Sequence, residues 1–179
     1  MKTGIYVDGA PMSIFNGRSK FMYGTGIDVS ALRPIIMEQV KQHFPEAKLF
    51  FPIRWFQSEI PHEFRRVLDQ TRIDVWEIPR NAKGEEQVDQ YLLTRAAYEL
   101  YHLDLLVLVG GDHKYLPLLE LAQAIARYTV VVIPSVEEME NFSTSVYAAV
   151  SIKNAANVVI DLAKLRDAKQ DRLLVHYGT

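Results

Sequence analysis

LLVLVGGDHKYLPLL, residues 105–119, is the stretch from which the fold of this chain is best inferred. Its first five residues are apolar and rich in branched side chains, which is too short a run for a membrane span and typical of a strand buried on both faces. Gly110 and Gly111 then allow a sharp turn, and Asp112 puts a carboxylate at the carboxyl end of that strand. Pro117 falls in the first turn of the helix predicted to follow, where its missing N–H does little harm. In an open α/β sheet, this is the edge at which ligands bind.

The composition sets the broad class of the protein. With 179 residues, 49% of them hydrophobic, the chain can bury one substantial core, and we expect a single domain over residues 1–168 followed by a tail over 169–179. The formal net charge of −2 excludes a generally basic nucleic-acid coat, but it allows a local basic groove. Because the chain has no cysteine, a disulfide scaffold, a thiolate zinc site and a cysteine nucleophile are excluded.

The apolar runs bear on localisation. The first residues, MKTGIYVDG, lead into a short strand without the apolar core of a signal peptide, so we expect no secretory signal. The longest apolar runs are far shorter than a membrane span, and we expect no contact with a membrane. Together with the absence of cysteine, this favours a cytoplasmic protein. The sequence leaves the oligomeric state open, a homodimer included.

Apolar periodicity predicts alternating strands and helices along the chain. The predicted strands cover residues 4–7, 48–53, 73–78, 105–109 and 130–133, with a short edge strand at 158–160. The predicted helices cover residues 30–43, a segment after Ser58, 88–101, a segment after Asp112, 142–150 and 161–167. A long first loop over residues 9–27 separates the first strand from the first helix. This order indicates a βαβαβαβαβ chain with right-handed crossovers and a parallel sheet.

Asp89 is an unexpected residue in its predicted helix. The apolar stripe of that helix, extended back by three or four residues, reaches Asp89, where an apolar side chain would be expected. An acid in the first turn is also favoured by the helix dipole, which leaves a structural role open. If the first strand lies beside the strand before Asp112, however, Asp8 and Asp112 flank the same point of the sheet. Three carboxylates brought close repel one another unless a proton or a cation intervenes, and Mg²⁺ or Mn²⁺ is the economical explanation.

Four short blocks of the sequence carry a family resemblance. They are IYVDG with Asp8, QVDQYLLT with Asp89, LVGGDHKYLPLL with Asp112, and the late IKNAANVVIDL. In order and spacing, from Ile5 to about Leu162, they resemble the signature blocks of the NYN domain family, also described as LabA-like, within the PIN-like nuclease superfamily. The resemblance implies a three-layer α/β/α sandwich with a mostly parallel PIN-like sheet. In active members it also implies metal-dependent ribonuclease chemistry on phosphodiester bonds.

The chain departs from the family pattern at several positions. The family usually has an asparagine where Pro11 stands here. It has acids at the places of Arg95, Lys114 and Asn157. If Arg95 and Lys114 pointed into the site, one net negative charge would remain there, which fits one weakly held metal better than two. Glu86 could supply a replacement carboxylate, and Lys114 could bind the scissile phosphate. The alternative is a site that no longer cleaves.

We therefore predict a metal-dependent ribonuclease that hydrolyses single-stranded RNA, or, as the alternative, an inactive NYN domain that binds RNA or a protein partner. Asp8, Asp89 and Asp112 are the predicted ligands of Mg²⁺ or Mn²⁺, and they are also predicted to be catalytic, as is Lys114. Basic and aromatic side chains near the mouth of the site suit an RNA strand, because charges contact phosphates and rings stack on bases. The predicted RNA-binding residues are Arg18, Lys20, Tyr23, Arg54, Arg80, Lys83 and Arg95.

Other classes of enzyme agree less well with the sequence. The segment after Asp8 lacks the three-glycine fingerprint of a dinucleotide-binding fold. The chain has no G-x-S-x-G motif of the kind that marks a serine hydrolase. A haloacid-dehalogenase-like phosphatase would need an acid where Ala10 stands. Trp55 and Phe56 follow the second predicted strand, and we expect both in the core rather than on an RNA-binding surface.

Overall fold

The computed structural model describes residues 1–13, 25–27, 29–135, 148–162 and 174–176, and for the two three-residue segments it describes the backbone alone. The strands are β1 (Lys2–Asp8), β2 (Thr25–Ile27), β3 (Lys48–Leu49), β4 (Arg54–Gln57), β5 (Asp74–Glu77), β6 (Leu105–Val109), β7 (Tyr128–Ile133), β8 (Val158–Asp161) and β9 (Leu174–His176). The helices are α1 (Val29–His43), α2 (His62–Gln70), α3 (Val88–Leu100), α4 (Leu116–Ala124) and α5 (Val150–Ala155), with a 3-10 turn at His113–Tyr115. Residues 9–13 are also helical, which corrects the predicted start of the long first loop. Within these ranges, every helix is too short or too polar to span a bilayer.

A parallel sheet of seven strands forms the centre of the molecule. Six strands lie in the order β5-β4-β1-β6-β7-β8, and β3 pairs with the start of β1, where Lys2 lies opposite Lys48. β1 lies beside β6, with Val7 opposite Val109, so the predicted pairing of the first strand with the strand before Asp112 is confirmed. Helices flank the sheet, and the fold is the predicted three-layer α/β/α sandwich. β2 and β9 form a separate antiparallel pair.

The alternation of side chains along the central strands divides the core into two halves. In β1, Ile5 and Val7 face one half of the core and Tyr6 faces the other. Helices α1 and α2 cover the first face of the sheet, and α3, α4 and α5 cover the second. All five residues of β6 are buried, as expected for a strand covered on both faces. Burial of a valine or leucine side chain stabilises a fold by about 1.5–3 kcal/mol. The five buried side chains of β6 therefore fix the position of its last residue, and with it the start of the turn that follows.

The second predicted strand is interrupted in the structure. β3 ends at Leu49 and β4 begins at Arg54. Pro52 lies in the segment between them, where its missing N–H cannot donate to a strand ladder. Arg54, Trp55 and Phe56 therefore lie within a strand and not beyond its end, which corrects the prediction. Trp55 and Phe56 are buried in the core, as expected.

The C-terminal part of the chain differs from the prediction in three places. β8 extends to Asp161, where periodicity predicts the start of a helix, and residues 163–167 of that helix lie outside the described part. α5 begins at Val150, the last residue of the predicted helix 142–150, and residues 142–147 are not described either. Part of the predicted tail, Leu174–His176, forms β9 beside β2.

Candidate functional site

Asp8 is the last residue of β1 and stands at the carboxyl edge of the sheet. Its Oδ2 accepts a hydrogen bond of 2.7 Å from the hydroxyl of Tyr115, and its Oδ1 accepts one of 3.2 Å from the N–H of Ala10. Burial raises the pKa of the Asp8 carboxyl, the charges of Asp112 and Asp89 raise it further, and the two hydrogen bonds oppose the rise. The carboxylate is therefore held in position while its charge is disfavoured by its surroundings.

Asp112 follows β6 through the glycine turn and caps the 3-10 turn. A side chain at Gly111 would clash with the start of the C-terminal segment, because an added Cβ would lie 2.6 Å from the Cα of Ala148. Oδ1 of Asp112 accepts a hydrogen bond of 3.0 Å from the N–H of Lys114, and it lies 3.0 Å from Nδ1 of His113. The Asp112 side chain is 43% exposed, so a ligand can reach it from solvent.

Asp89 lies in the first turn of α3 and is paired with Lys114. Its Oδ2 is 3.3 Å from Nζ of Lys114, and its Oδ1 accepts a hydrogen bond of 3.0 Å from the N–H of Gln90. The hydrogen bond and charge of Asp89, and then the charges of Asp112 and Asp8, raise the pKa of Lys114. Lys114 is therefore a cation throughout the neutral range.

An open pocket of about 540 Å³ joins these side chains. Asp8, Asp89 and Asp112 all line it, together with Lys114 and Tyr115. The three acids come from the end of β1, the first turn of α3 and the turn after β6. The parallel sheet brings two of them to one edge, and the start of α3 adds the third. The structure thus brings the three predicted acids together.

Glu86 is a fourth carboxylate in this pocket. It precedes α3, and its Oε1 accepts hydrogen bonds from Oγ of Ser58 at 3.0 Å and from Arg80 at 2.7 Å. It lies outside the helix, which begins at Val88, but it lines the same pocket as Asp89. The lining of the pocket contains four carboxylates and the ammonium group of Lys114, so negative charge is in excess there.

The donor set has the chemistry of a site for a hard divalent cation, since such cations are bound by carboxylate oxygens. The side chains do not form a ready site, however, because the described residues contain no group of three or more His, Cys, Asp or Glu residues able to hold a metal ion. Oδ2 of Asp8 is bonded to Tyr115, and Oδ2 of Asp89 lies beside Lys114. The ammonium group of Lys114 is therefore already in contact with one of the three acids that a divalent cation would bind.

Comparison with known proteins identifies the family. The NYN domain model matches residues 2–163. The chain belongs to the NYN domain family. No curated protein sequence matches it. Among solved structures, a Vibrio parahaemolyticus protein of unknown function is 17% identical, with a TM-score of 0.63 over 97% of this chain and 96% of its own, a likeness that shows the fold alone. MurG of Acinetobacter baumannii is 11% identical, with a TM-score of 0.43 over 90% of this chain and 41% of MurG, which is too weak a likeness to indicate a shared fold.

Tyr115 is a residue of this NYN domain that the sequence patterns did not single out. Its side chain is buried, and its hydroxyl fixes Oδ2 of Asp8. Burial, together with the neighbouring Asp8, raises the pKa of the Tyr115 hydroxyl, so it remains a proton donor. The sequence signal for Tyr115 is its position three residues after Asp112. One helical turn separates the two residues, so both lie on the side that faces the pocket.

Arg54 belongs to the core of the NYN domain and not to an RNA-binding surface, which corrects the prediction. It is the first residue of β4 and is 8% exposed. Its guanidinium forms ion pairs with Glu99 on α3, at 2.7 Å, and with Asp74 on β5. Glu99 also accepts a hydrogen bond of 2.8 Å from the hydroxyl of Tyr6. The sequence signal for this network is an acid, Glu99, within the apolar face of α3.

Arg95 does not line the acidic pocket, and its contact with RNA stays a prediction. Its guanidinium lies 2.5 Å from Glu99 and 5.3 Å from the centre of the Trp76 ring. It borders a different cavity, of about 560 Å³, on the outer side of α3 with Tyr91 and Tyr98. Lys114 therefore offsets the charge of the pocket and Arg95 does not.

The remaining predicted RNA-binding residues are exposed or lie outside the described part of the chain. Arg80 forms ion pairs with Glu86 at 2.7 Å and with Glu59 at 3.1 Å, so it borders the pocket through Glu86. Lys83 is exposed in the same loop before α3. Arg18, Lys20 and Tyr23 lie outside the described residues.

Proposed function

We propose that this NYN domain is a metal-dependent ribonuclease that hydrolyses phosphodiester bonds of single-stranded RNA. The observation that carries the proposal is the meeting of Asp8, Asp89 and Asp112 in one pocket at the carboxyl edge of a parallel sheet. Open α/β sheets bind their ligands at this edge. Mg²⁺ or Mn²⁺ is the proposed cofactor, and the cytoplasm is the proposed compartment because the chain has no cysteine.

The charge of the pocket supports a requirement for a cation. Its lining includes the carboxylates of Asp8, Glu86, Asp89 and Asp112 and the ammonium group of Lys114. An anionic phosphodiester is repelled by such an excess of carboxylates, because like charges at short range disfavour each other. When bound, a divalent cation would neutralise part of this charge, polarise a phosphate oxygen and lower the pKa of a water molecule.

The chain's own groups have separate tasks in this proposal. Tyr115 holds Asp8 in position through its hydrogen bond of 2.7 Å. Asp112, whose side chain is 43% exposed against 25% for Asp89, is the proposed acceptor of the proton from the attacking water. Lys114 is proposed to contact a phosphate oxygen and to stabilise the negative charge that develops there.

Basic residues around the pocket are proposed to hold the RNA strand. Arg80 and Lys83 are exposed on the loop before α3, beside the pocket residue Glu86. Such cations bind the phosphate backbone whatever its sequence. Arg18, Lys20 and Tyr23 remain proposed contacts in the first loop, where the cations would contact phosphates and the Tyr23 ring would stack on a base.

Cleavage of labelled single-stranded RNA in Mn²⁺ tests the proposed activity. We expect the native chain to cut, and Asp112→Asn to cut slower by roughly 10²-fold or more, because the proton acceptor is lost. The asparagine keeps a side-chain oxygen that can cap the N–H of Lys114, so the turn should be retained. Asp69→Asn, an exposed residue of α2 paired with Arg65, is the matched control and should cut like the native chain. Equal cleavage by the native chain and Asp112→Asn would contradict the proposal.

A second candidate function is a binding module without turnover. The contact of 3.3 Å between Lys114 and Asp89 favours it, since an internal cation already neutralises one of the three acids. Such a module would bind RNA in EDTA as well as in Mn²⁺ and would leave it uncut. A gel-shift experiment with the same RNA in both conditions distinguishes the two functions.

A further inference from the structure

Lys114 connects two of the three aspartates of the pocket. Its backbone N–H donates to Oδ1 of Asp112 at 3.0 Å, and its Nζ lies 3.3 Å from Oδ2 of Asp89. The backbone is therefore anchored, whereas the side chain is 54% exposed and has room to turn away from Asp89. Lys114 acts as a tethered cation at a carboxylate that a metal would also need.

We infer that Lys114 competes with a divalent cation for Asp89, so that a metal gains this ligand after the ammonium group has left it. The inference rests on the proposed function of the pocket and names the residue that regulates its cofactor. An ammonium group and a metal ion are both attracted to the oxygens of one carboxylate, and two cations placed side by side repel each other. Because Lys114 is tethered, it competes at a high effective concentration.

The anchored backbone gives Lys114 a second position in the same pocket. When the ammonium group leaves Asp89, the N–H of Lys114 remains bonded to Asp112, so the side chain stays at the site. There it meets the phosphate of a bound RNA strand, for which lysine is a suitable point charge. Lys114 thus weakens metal binding in the absence of RNA and contributes a phosphate contact in its presence.

Titration of the full chain with MnCl₂, without RNA, tests the competition by isothermal calorimetry. Lys114→Gln removes the positive charge and keeps most of the side-chain length. We expect this variant to bind Mn²⁺ on the order of tenfold more tightly, because the Asp89 carboxylate loses a competing cation. Lys114→Arg keeps the charge, and we expect an affinity within about twofold of the native value. Lys41→Gln removes the same charge from an exposed position in the last turn of α1, so it controls for net charge and should leave the affinity unchanged.

A double variant identifies the carboxylate involved. If Lys114→Gln acts by releasing Asp89, it should have no effect once Asp89 is replaced. The double variant of Lys114→Gln and Asp89→Asn should then bind Mn²⁺ no more tightly than Asp89→Asn alone. A gain that survives in the double variant, equal affinities of the native chain and Lys114→Gln, or no binding by either overturns the inference.

The RNA assay distinguishes failure of this inference from failure of the proposed function. Tighter Mn²⁺ binding by Lys114→Gln, with no RNA cleavage by the native chain, supports the competition and contradicts the nuclease. Cleavage by the native chain, with Mn²⁺ affinity unchanged in Lys114→Gln, supports the nuclease and overturns the competition.

Discussion

At the scale of single residues, the hydrogen bond from Tyr115 to Asp8 stabilises the charged form of a partly buried acid. Burial raises the pKa of Asp8 above its ordinary value of 3.8, and this hydrogen bond acts in the opposite direction. An acid whose pKa is raised by folding adds stability when protonated, and this addition is complete below the ordinary pKa and lost as the pH rises through the folded-state pKa. At neutral pH, Tyr115 therefore offsets part of the destabilisation caused by the Asp8 charge.

Removal of the Tyr115 hydroxyl should destabilise the chain more at pH 7 than in acid. Tyr115→Phe keeps the ring but removes a hydrogen bond to a charged group, worth about 1.5–3 kcal/mol. Below the ordinary pKa of 3.8, where Asp8 is protonated, the loss should fall towards the roughly 0.5–1.5 kcal/mol of a neutral hydrogen bond. Urea denaturation at both pH values measures the difference. Tyr98→Phe, at a residue that is 71% exposed, is the control, and an equal loss in Tyr115→Phe at both pH values would contradict the prediction.

The acids of the site could be predicted from the sequence, but their partners could not. Asp8 and Asp112 each follow an apolar strand, and the position of a strand end in a parallel sheet decides where such a residue lies. Tyr115 gives no comparable signal, because packing decides the direction of its hydroxyl. Arg54 misleads because its charge suggests solvent, whereas its partner Glu99 lies 45 residues away along the chain.

At the scale of elements, a buried network fixes α3 against the sheet. Glu99 of α3 pairs with Arg54 of β4 at 2.7 Å and accepts a hydrogen bond of 2.8 Å from Tyr6 of β1. Burial acts to raise the pKa of Glu99, but the hydrogen bonds from Arg54 and Tyr6 outweigh it, and the pKa is lowered. Since Asp89 begins the same helix, this network also positions one acid of the pocket.

Loss of Glu99 should destabilise the fold strongly at neutral pH. In Glu99→Ala the buried Arg54 loses its main partner, and removing one member of a buried ion pair costs about 3–5 kcal/mol. Because the pKa of Glu99 is lowered, its contribution is present above the ordinary pKa and is lost as the pH falls through the folded-state pKa. Urea denaturation should therefore show that the difference in free energy of unfolding between the native chain and Glu99→Ala becomes smaller in acid. Glu120→Ala, on the exposed side of α4, should change the free energy of unfolding by less than about 0.5 kcal/mol, and a similar change in both variants would contradict the role of the network.

Helices and strands with a regular apolar pattern could be predicted from the sequence. Elements that a single proline interrupts, or that are too short to show a pattern, could not. α3 begins at Val88, where the periodicity of the sequence predicts it. The strand predicted over residues 48–53 is confirmed at Lys48–Leu49 and wrong beyond it, because the apolar run continues through Pro52, which cannot donate to a ladder. The pairing of β2 with β9 is unpredictable for another reason: two strands of three residues, far apart along the chain, contain too few positions for an apolar period.

At the scale of the whole molecule, the sheet topology decides where the negative charge collects. The alternation of strands and helices predicts parallel strands, and parallel neighbours such as β1 and β6 end at the same edge. The residues that follow them, Asp8 and Asp112, must then lie near each other however the loops are built. Repulsion between these acids is therefore imposed by the fold, and a cation bound between them would relieve it.

If the proposed metal binds, it should stabilise the whole fold, because its proposed ligands on β1, α3 and the turn after β6 separate when the chain unfolds. A ligand that binds the native state alone, at ten times its Kd, stabilises it by about 1.4 kcal/mol. For a chain of this size, that is a rise in Tm of about 3–6 °C. Thermal denaturation with increasing Mn²⁺ should show this rise in the native chain and in Asp69→Ala, whose side chain is exposed on α2. Asp8→Ala and Asp112→Ala should show none, since each removes a carboxylate of the pocket, and a full rise in either would locate the metal elsewhere.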